Sequence, residues 1–215
     1  MPFNKRELLG ALFVLAVSFP VANGALVGGI PGWLGSESFN YYNAQYEQIL
    51  TGRIDYAVYQ QDSSYSYGGS APSGGEYIYA YQIFNSASSD RGVDFFTVGI
   101  LQDAHVGTIN WDDYQVIDGV EPFMEYFSPD PDSPQNAVYL FLPGAKSLVE
   151  SGQHSVHLLF SSNNEPTSGF GTISGGALGG MILGLPTPIP EPSTVALLAA
   201  GACLLKFAGA GRRRV

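Results

Sequence analysis

The chain has 215 residues, a formal net charge of −10 and a single cysteine, Cys203, and this length fits one domain with accessory segments. Between Ala25 and Thr187, 17 acidic residues stand against three basic ones, so this body carries a charge near −14. Such a body repels phosphate backbones, which argues against nucleic-acid binding, and without a cysteine it has neither a disulfide nor a thiolate metal site.

The first 24 residues have the three parts of a secretory signal peptide. Lys5 and Arg6 precede an apolar run over residues 8–21, and residues 22–24 form a small-x-small exit. Because the run is shorter than the ~20 apolar residues of a spanning helix, cleavage after Gly24 is favoured over an uncleaved N-terminal anchor or a buried helix. The sequence therefore predicts export through the Sec translocon and removal of a signal helix by signal peptidase.

The body, residues 25–174, carries short runs in which apolar or aromatic side chains alternate with polar ones. Tyr77, Tyr79, Tyr81 and Ile83 fall on one face of the segment 76–84, as strand periodicity requires. Similar runs cover residues 54–58, 93–101, 114–117, 137–142 and 155–160. Runs of period two, separated by turn residues, predict an all-β fold: an antiparallel β-sandwich of jelly-roll or Ig-like type.

Three segments are expected to depart from this strand pattern. Residues 36–50 place aromatic and aliphatic side chains at near-helical spacing and predict a helix. Residues 63–75 are rich in Ser, Tyr and Gly and predict an exposed loop of low order. Residues 175–187 are rich in Gly and Pro and predict a flexible linker between the body and the C-terminal tail.

Residues 188–215 form a tail with three parts. The motif Pro190-Glu191-Pro192-Ser193-Thr194 precedes an apolar stretch over residues 195–210, and Arg212, Arg213 and Arg214 follow. The apolar stretch predicts a C-terminal transmembrane helix, and the arginines are expected to stay cytoplasmic under the positive-inside rule. The prolines keep the preceding segment extended, which is a shape that a protease can bind. An unprocessed C-terminal anchor is the simpler alternative.

This tail resembles a PEP-CTERM sorting signal, although Cys203 and Lys206 are less usual in its apolar part. The resemblance implies an exosortase-type membrane protease or transpeptidase as partner, cleavage near the motif, and a bacterium that secretes exopolysaccharide. The expected localisation is the inner membrane with the body outside before processing, and then the cell surface or the extracellular space. Residues 80–85, 158–162 and 165–171 are also similar to β-rich domains that precede such tails, from which no activity follows.

Histidines and carboxylates form no recognised catalytic motif in this sequence. His154 and His157 are three residues apart, which places them on opposite faces of a strand. A glycoside hydrolase needs two carboxylates at a defined distance from each other, and the sequence does not show that distance for acidic pairs such as Asp112 and Asp113. Asp130 and Asp132 are a weak candidate for Ca²⁺ coordination, weighed against ordinary turn-forming aspartates. The sequence therefore predicts no catalytic residue and no cofactor.

Aromatic side chains outside the strands are the remaining candidates for ligand contacts. Trp33, Tyr65, Tyr67 and Trp111 are suited to stacking on sugar rings. These observations favour an exported, noncatalytic cell-surface or matrix protein that associates with exopolysaccharide. A carbohydrate-binding module and a polysaccharide-acting hydrolase are the two alternatives.

Overall fold

A computed structural model of the chain describes residues 26–100, 104–128, 136–142 and 148–188. These ranges contain ten strands and no helix. The strands are β1 (Leu34–Asn43), β2 (Gln48–Gln60), β3 (Tyr77–Asn85), β4 (Phe95–Gly99), β5 (Val106–Asp112), β6 (Met124–Phe127), β7 (Asn136–Leu140), β8 (His157–Ser162), β9 (Pro166–Gly175) and β10 (Leu178–Pro188).

The described strands form two five-stranded sheets. The first sheet has the order β1-β2-β3-β8-β5, the second has the order β10-β9-β4-β7-β6, and neighbouring strands are antiparallel throughout. After β3 the chain alternates between the sheets, with β4, β6 and β7 in the second and β5 and β8 in the first. The predicted all-β, antiparallel two-sheet architecture is confirmed.

Aromatic side chains from both sheets fill the core between them. The ring of Tyr79 stacks on that of Phe160 at 4.8 Å between centroids, within the first sheet. Tyr81 meets the edge of Phe96 in the second sheet at 5.8 Å. The Tyr81 hydroxyl donates a hydrogen bond to the Pro186 carbonyl, so its polar end is satisfied inside the core. The alternate tyrosines of β3 therefore face inward together, as their spacing predicts.

A second, smaller apolar cluster lies on the outer face of the first sheet. It comprises Leu26, Ala57, Tyr59, Tyr67, Ile78, Ala80 and Leu159. Tyr67 belongs to the segment 63–75, and its ring covers the apolar outer side of the neighbouring strands. The predicted loop is confirmed, since residues 63–75 contain no strand and many of them are exposed. Its predicted low order is wrong, because the loop packs on the sheet through Tyr67 and hydrogen-bonds to it, as in the bond from the Ser73 N–H to Thr108 Oγ1 (2.8 Å).

The predicted helix over residues 36–50 is also wrong. This segment forms β1, a turn and the first residues of β2, with Phe39 paired to Gly52 and Tyr42 paired to Ile49. Glu47 adopts a left-handed backbone conformation (φ 51°) at the end of the turn. Aromatic residues are good strand formers, and the pairing of β1 with β2 overrides the weak helical spacing.

The predicted linker over residues 175–187 is wrong as well, because β10 occupies most of it and pairs with β9 in ten positions. Gly176 (φ 64°) supplies the turn between these strands, and its N–H donates to Asp94 Oδ2 (2.7 Å). A side chain at Gly180 would collide with the Tyr41 ring. The prolines are tolerated since β10 is an edge strand. The body therefore extends to Pro188, beyond its predicted boundary at residue 174.

The short strand predicted over residues 114–117 is a turn instead. Gln115 has a left-handed backbone (φ 60°), and the Asp112 carboxylate accepts a bond from the Tyr114 N–H (3.3 Å). An aspartate that captures the backbone two residues later terminates β5 there.

Candidate functional site

An open groove lies on the outer face of the first sheet, on the side that the loop 63–75 leaves uncovered. Its volume is about 520 Å³. Four of its side chains occupy one register row that crosses the strands: Ser38 pairs with Arg53, Arg53 with Phe84, and Phe84 with His154. Adjacent strands are ~4.8 Å apart, so this row spans about 14 Å. We call these four residues the Arg53 row.

The Arg53 side chain is held in place by two contacts on the sheet surface. Its Cζ atom lies 3.9 Å from the centroid of the Phe84 ring, in cation–π geometry. Its Nε atom lies 2.9 Å from Asp55 Oδ1, and Nη2 lies 3.4 Å from Asp55 Oδ2. The Arg53 side chain is nevertheless 44% exposed. Both contacts fix the orientation of a planar donor group whose remaining hydrogens stay accessible.

His154 extends the aromatic surface on the other side of Phe84. The two ring centroids are 5.5 Å apart and the rings are tilted by 44°. Phe84 therefore lies between a guanidinium and an imidazole. Such a floor offers apolar contact area and fixed N–H donors, and the Asp55 carboxylate lies beside it as the partner of Arg53, which suits binding of a polar ligand with apolar faces.

A second, smaller pocket of about 180 Å³ lies at the Tyr67 end of the same sheet face. The Tyr67 hydroxyl oxygen is 2.8 Å from His157 Nδ1 inside it. Asp112 lies next to them, buried, and its Oδ2 accepts a hydrogen bond from the Ser70 N–H (2.7 Å). These bonds join β8 and the end of β5 to the loop 63–75 and hold the loop on the sheet.

Burial dominates the electrostatics of this smaller pocket. It raises the pKa of the Tyr67 phenol, and the negative charge of Asp112 raises that pKa further. Burial also raises the pKa of Tyr59 to about 12, and the Tyr59 hydroxyl donates a hydrogen bond to the Val27 carbonyl. Both phenols therefore stay protonated at neutral pH, as hydrogen-bond donors rather than nucleophiles.

The four aromatic residues proposed from the sequence as ligand contacts occupy different environments. Trp33 and Trp111 are half-buried and pack against the main core. Tyr67 is 7% exposed and lines the smaller pocket, so its ring is not an open stacking surface. Tyr65 is 38% exposed. The structure does not bring all four into one pocket, and their role in ligand binding stays a prediction.

Several other predicted sites lie outside the described residues. These are Asp130 and Asp132, the motif from Pro190 to Thr194, the signal segment, and Arg212, Arg213 and Arg214. In the part of the chain that the structure describes, no group of three or more His, Cys, Asp and Glu side chains is arranged to hold a metal ion. Nor do the same ranges contain a helix long and apolar enough to cross a membrane.

The sequence reasoning missed the residues of the groove. From the sequence, Arg53 stands out only by its charge, and His154 only by its spacing from His157. Those two histidines in fact line different pockets, His154 the groove and His157 the Tyr67 pocket. One signal was available: Arg53 is one of three basic residues in the body, and it directly precedes the strand-like run over residues 54–58.

The fold and the two pockets define a two-sheet antiparallel β domain with an open polar–aromatic groove on one outer face. Comparison with family models, with curated proteins and with solved structures found no match to this chain.

Proposed function

We propose that this chain is an exported, noncatalytic cell-surface or extracellular-matrix protein, sorted through its C-terminal tail and associated with exopolysaccharide. The order of motif, apolar stretch and arginines in residues 188–215 supports sorting by an exosortase-type membrane enzyme. The charged, apolar and small-residue parts of residues 1–24 support export by the Sec translocon and signal peptidase. The tail anchors the chain in the inner membrane, with the body outside, until it is processed.

The single observation that carries the role of the body is the open groove. Its Arg53 guanidinium, paired with Asp55 beside the groove, its Phe84 ring and its His154 imidazole combine hydrogen-bonding groups with apolar contact area on one face. That combination suits adhesion to a hydroxyl-rich polymer, as in a carbohydrate-binding module. The buried Asp112 is engaged with backbone N–H groups of loops, which favours a structural role for it over the hydrolase alternative.

We further propose that the sandwich is wound as a jelly roll rather than as an Ig-like domain. The strand pair β4·β7 is nested inside the pair β3·β8, because the chain passes through β3, β4, β7 and β8 in that order. The pairs β5·β8 and β6·β7 repeat the same nesting on the other side. A chain folded double and then wrapped around a core has this pattern. In this view β1 and β2 extend one sheet, and β9 and β10 extend the other.

Intact-mass analysis of the protein recovered from the cell surface tests the sorting proposal. We expect loss of the residues before Ala25 and of the segment after the motif. Replacing Pro190, Glu191 and Pro192 by alanine is expected to leave the tail in place and the protein in the membrane fraction. Alanine at Pro129, Pro131 and Pro134 is the matched control and leaves processing unchanged. Recovery of the complete tail from the surface would refute cleavage.

Fractionation of the producing cells tests the matrix association. The processed protein is expected in the exopolysaccharide fraction, and it moves to the free medium in cells that make no exopolysaccharide. An unchanged distribution between the two cell types contradicts an association with the polymer.

A further inference from the structure

We propose that the groove of the Arg53 row binds a neutral polysaccharide, whose rings lie on the Phe84–His154 surface and whose hydroxyl groups bond to the Arg53–Asp55 pair. This inference rests on the proposed polysaccharide association and adds to it a site and a ligand class.

The local charge of the groove favours a neutral ligand. Arg53 is the one arginine or lysine among the described residues that line it, and Asp55 compensates its charge at 2.9 Å. The body around the groove carries a charge near −14 between Ala25 and Thr187. An anionic chain would meet that field over its whole length and would find in the groove only an arginine that is already paired. A neutral chain meets no such barrier.

The Arg53–Asp55 pair presents donors and acceptors next to each other in a fixed plane. Asp55 takes the Nε and Nη2 edge of the guanidinium, and among the described residues no acceptor is bonded to Nη1. Each Asp55 oxygen has a second lone pair. Neighbouring hydroxyl groups of a sugar both donate and accept, so one hydroxyl can bond to Nη1 while the next donates to the carboxylate. Charged partners make such bonds stronger than neutral ones.

The floor of the groove provides the apolar part of the contact. The Arg53 guanidinium lies over the Phe84 ring, and together with the neighbouring His154 ring it provides the flat surface of the row, while the exposed Gln153 also lines the groove. Sugar rings carry C–H groups on their faces, which pack on aromatic and guanidinium planes. The row is about 14 Å long, because it crosses four neighbouring backbone segments ~4.8 Å apart. It therefore suits several consecutive rings of a chain rather than a single sugar.

Binding of the full chain to soluble polymers, measured by affinity electrophoresis and by calorimetry, tests this site. The probes are a β-glucan, a galactomannan, an α-glucan and a polyuronate, each at low and at high salt. We expect binding to at least one neutral polymer, with an affinity that does not change with ionic strength, and weaker binding of the polyuronate.

Two conservative variants locate the contact without removing the fold. Arg53→Lys keeps the charge but loses the planar fork, and Phe84→Leu keeps the apolar volume but loses the ring. Each is expected to weaken neutral-polymer binding about tenfold. The matched controls Arg91→Lys and Phe123→Leu change the same residue types at exposed positions away from the groove, and they leave the affinity unchanged.

Each outcome decides the proposal. Tighter, salt-dependent binding of the polyuronate overturns it, as does an Arg53→Lys variant that binds as well as the original chain, or the absence of binding to every neutral polymer. A chain that is processed and retained in the matrix, yet binds no neutral polymer, overturns the groove assignment alone. Groove binding by a chain whose tail is never processed overturns only the sorting proposal.

Discussion

Raising the pH above 10 is expected to unfold the β domain, because its buried tyrosines cannot ionise in place. Burial raises the pKa of Tyr59 from 10.0 to about 12. Burial also raises the pKa values of Tyr67, Tyr79, Tyr81 and Tyr139. For each of them the folded state holds its proton more tightly than the unfolded state. The corresponding stabilisation is complete below pH 10 and is lost as the pH rises toward the folded pKa.

The size of this loss follows from the number of protons released on unfolding. One proton contributes ~1.4 kcal/mol per pH unit, so Tyr59 alone removes about 2 kcal/mol between pH 10 and 12. Five tyrosines releasing protons together remove roughly 7 kcal/mol per pH unit. A domain of this kind is stable by ~5–15 kcal/mol. Cooperative unfolding is therefore expected within about two pH units above 10.

Urea unfolding followed by tryptophan fluorescence, at pH values from 8 upward, measures this slope. Tyr59→Phe removes the hydrogen bond to the Val27 carbonyl (2.9 Å), which lowers the free energy of unfolding by ~1 kcal/mol at pH values well below 10. Above pH 10 its slope against pH should be smaller by one proton, about 1.4 kcal/mol per pH unit. An identical slope in Tyr59→Phe and in the unchanged chain would refute the reasoning. The constant difference between pH 8 and 9 is the internal control.

Two further changes test the packing that shapes the outer face of the first sheet. Tyr67→Phe removes the hydroxyl beside His157 and should lower the free energy of unfolding by ~1–3 kcal/mol. Limited proteolysis should then cut the loop 63–75 sooner, whereas the control Tyr65→Phe leaves both readouts unchanged. Gly52→Ala would drive a methyl group into the Phe84 carbonyl oxygen and should cost several kcal/mol. An unchanged thermal midpoint would contradict that placement, and Ser38→Ala in the neighbouring strand is the control.

The strands of the core could be predicted because their side-chain pattern is local. Tyr77, Tyr79, Tyr81 and Ile83 alternate with outward-facing residues, and a period of two places every second side chain on the same face of a strand. The same local reasoning failed where composition suggested helix or flexibility. Residues 36–50 and 175–187 are strands because each pairs with a neighbouring strand, and a pairing partner is not visible in a short window.

The groove could not be predicted for a related reason. Ser38, Arg53, Phe84 and His154 are separated in the chain by 15 to 70 residues and meet only through strand register. A shift of one residue in any pairing would turn one of these side chains into the core. The sequence can supply the residue types, but the row exists only after three pairings have been set.

The position of the groove follows from a change of character along the outer side of β3. Ile78 and Ala80 are apolar, and the loop 63–75 covers them with Tyr67. Two and four residues after Ala80, the outward-facing residues of β3 are Gln82 and Phe84. They pair with Asp55 and Arg53 of β2, so this part of the sheet face is polar. Closing a loop over that stretch would bury the Arg53–Asp55 pair and incur a desolvation penalty that the pair cannot offset alone. The same sheet face is therefore covered at its apolar end and open at its polar end. A ligand that brings its own hydroxyl groups can cover the open end without leaving those charges unsatisfied, which is the physical reason for placing the polymer there.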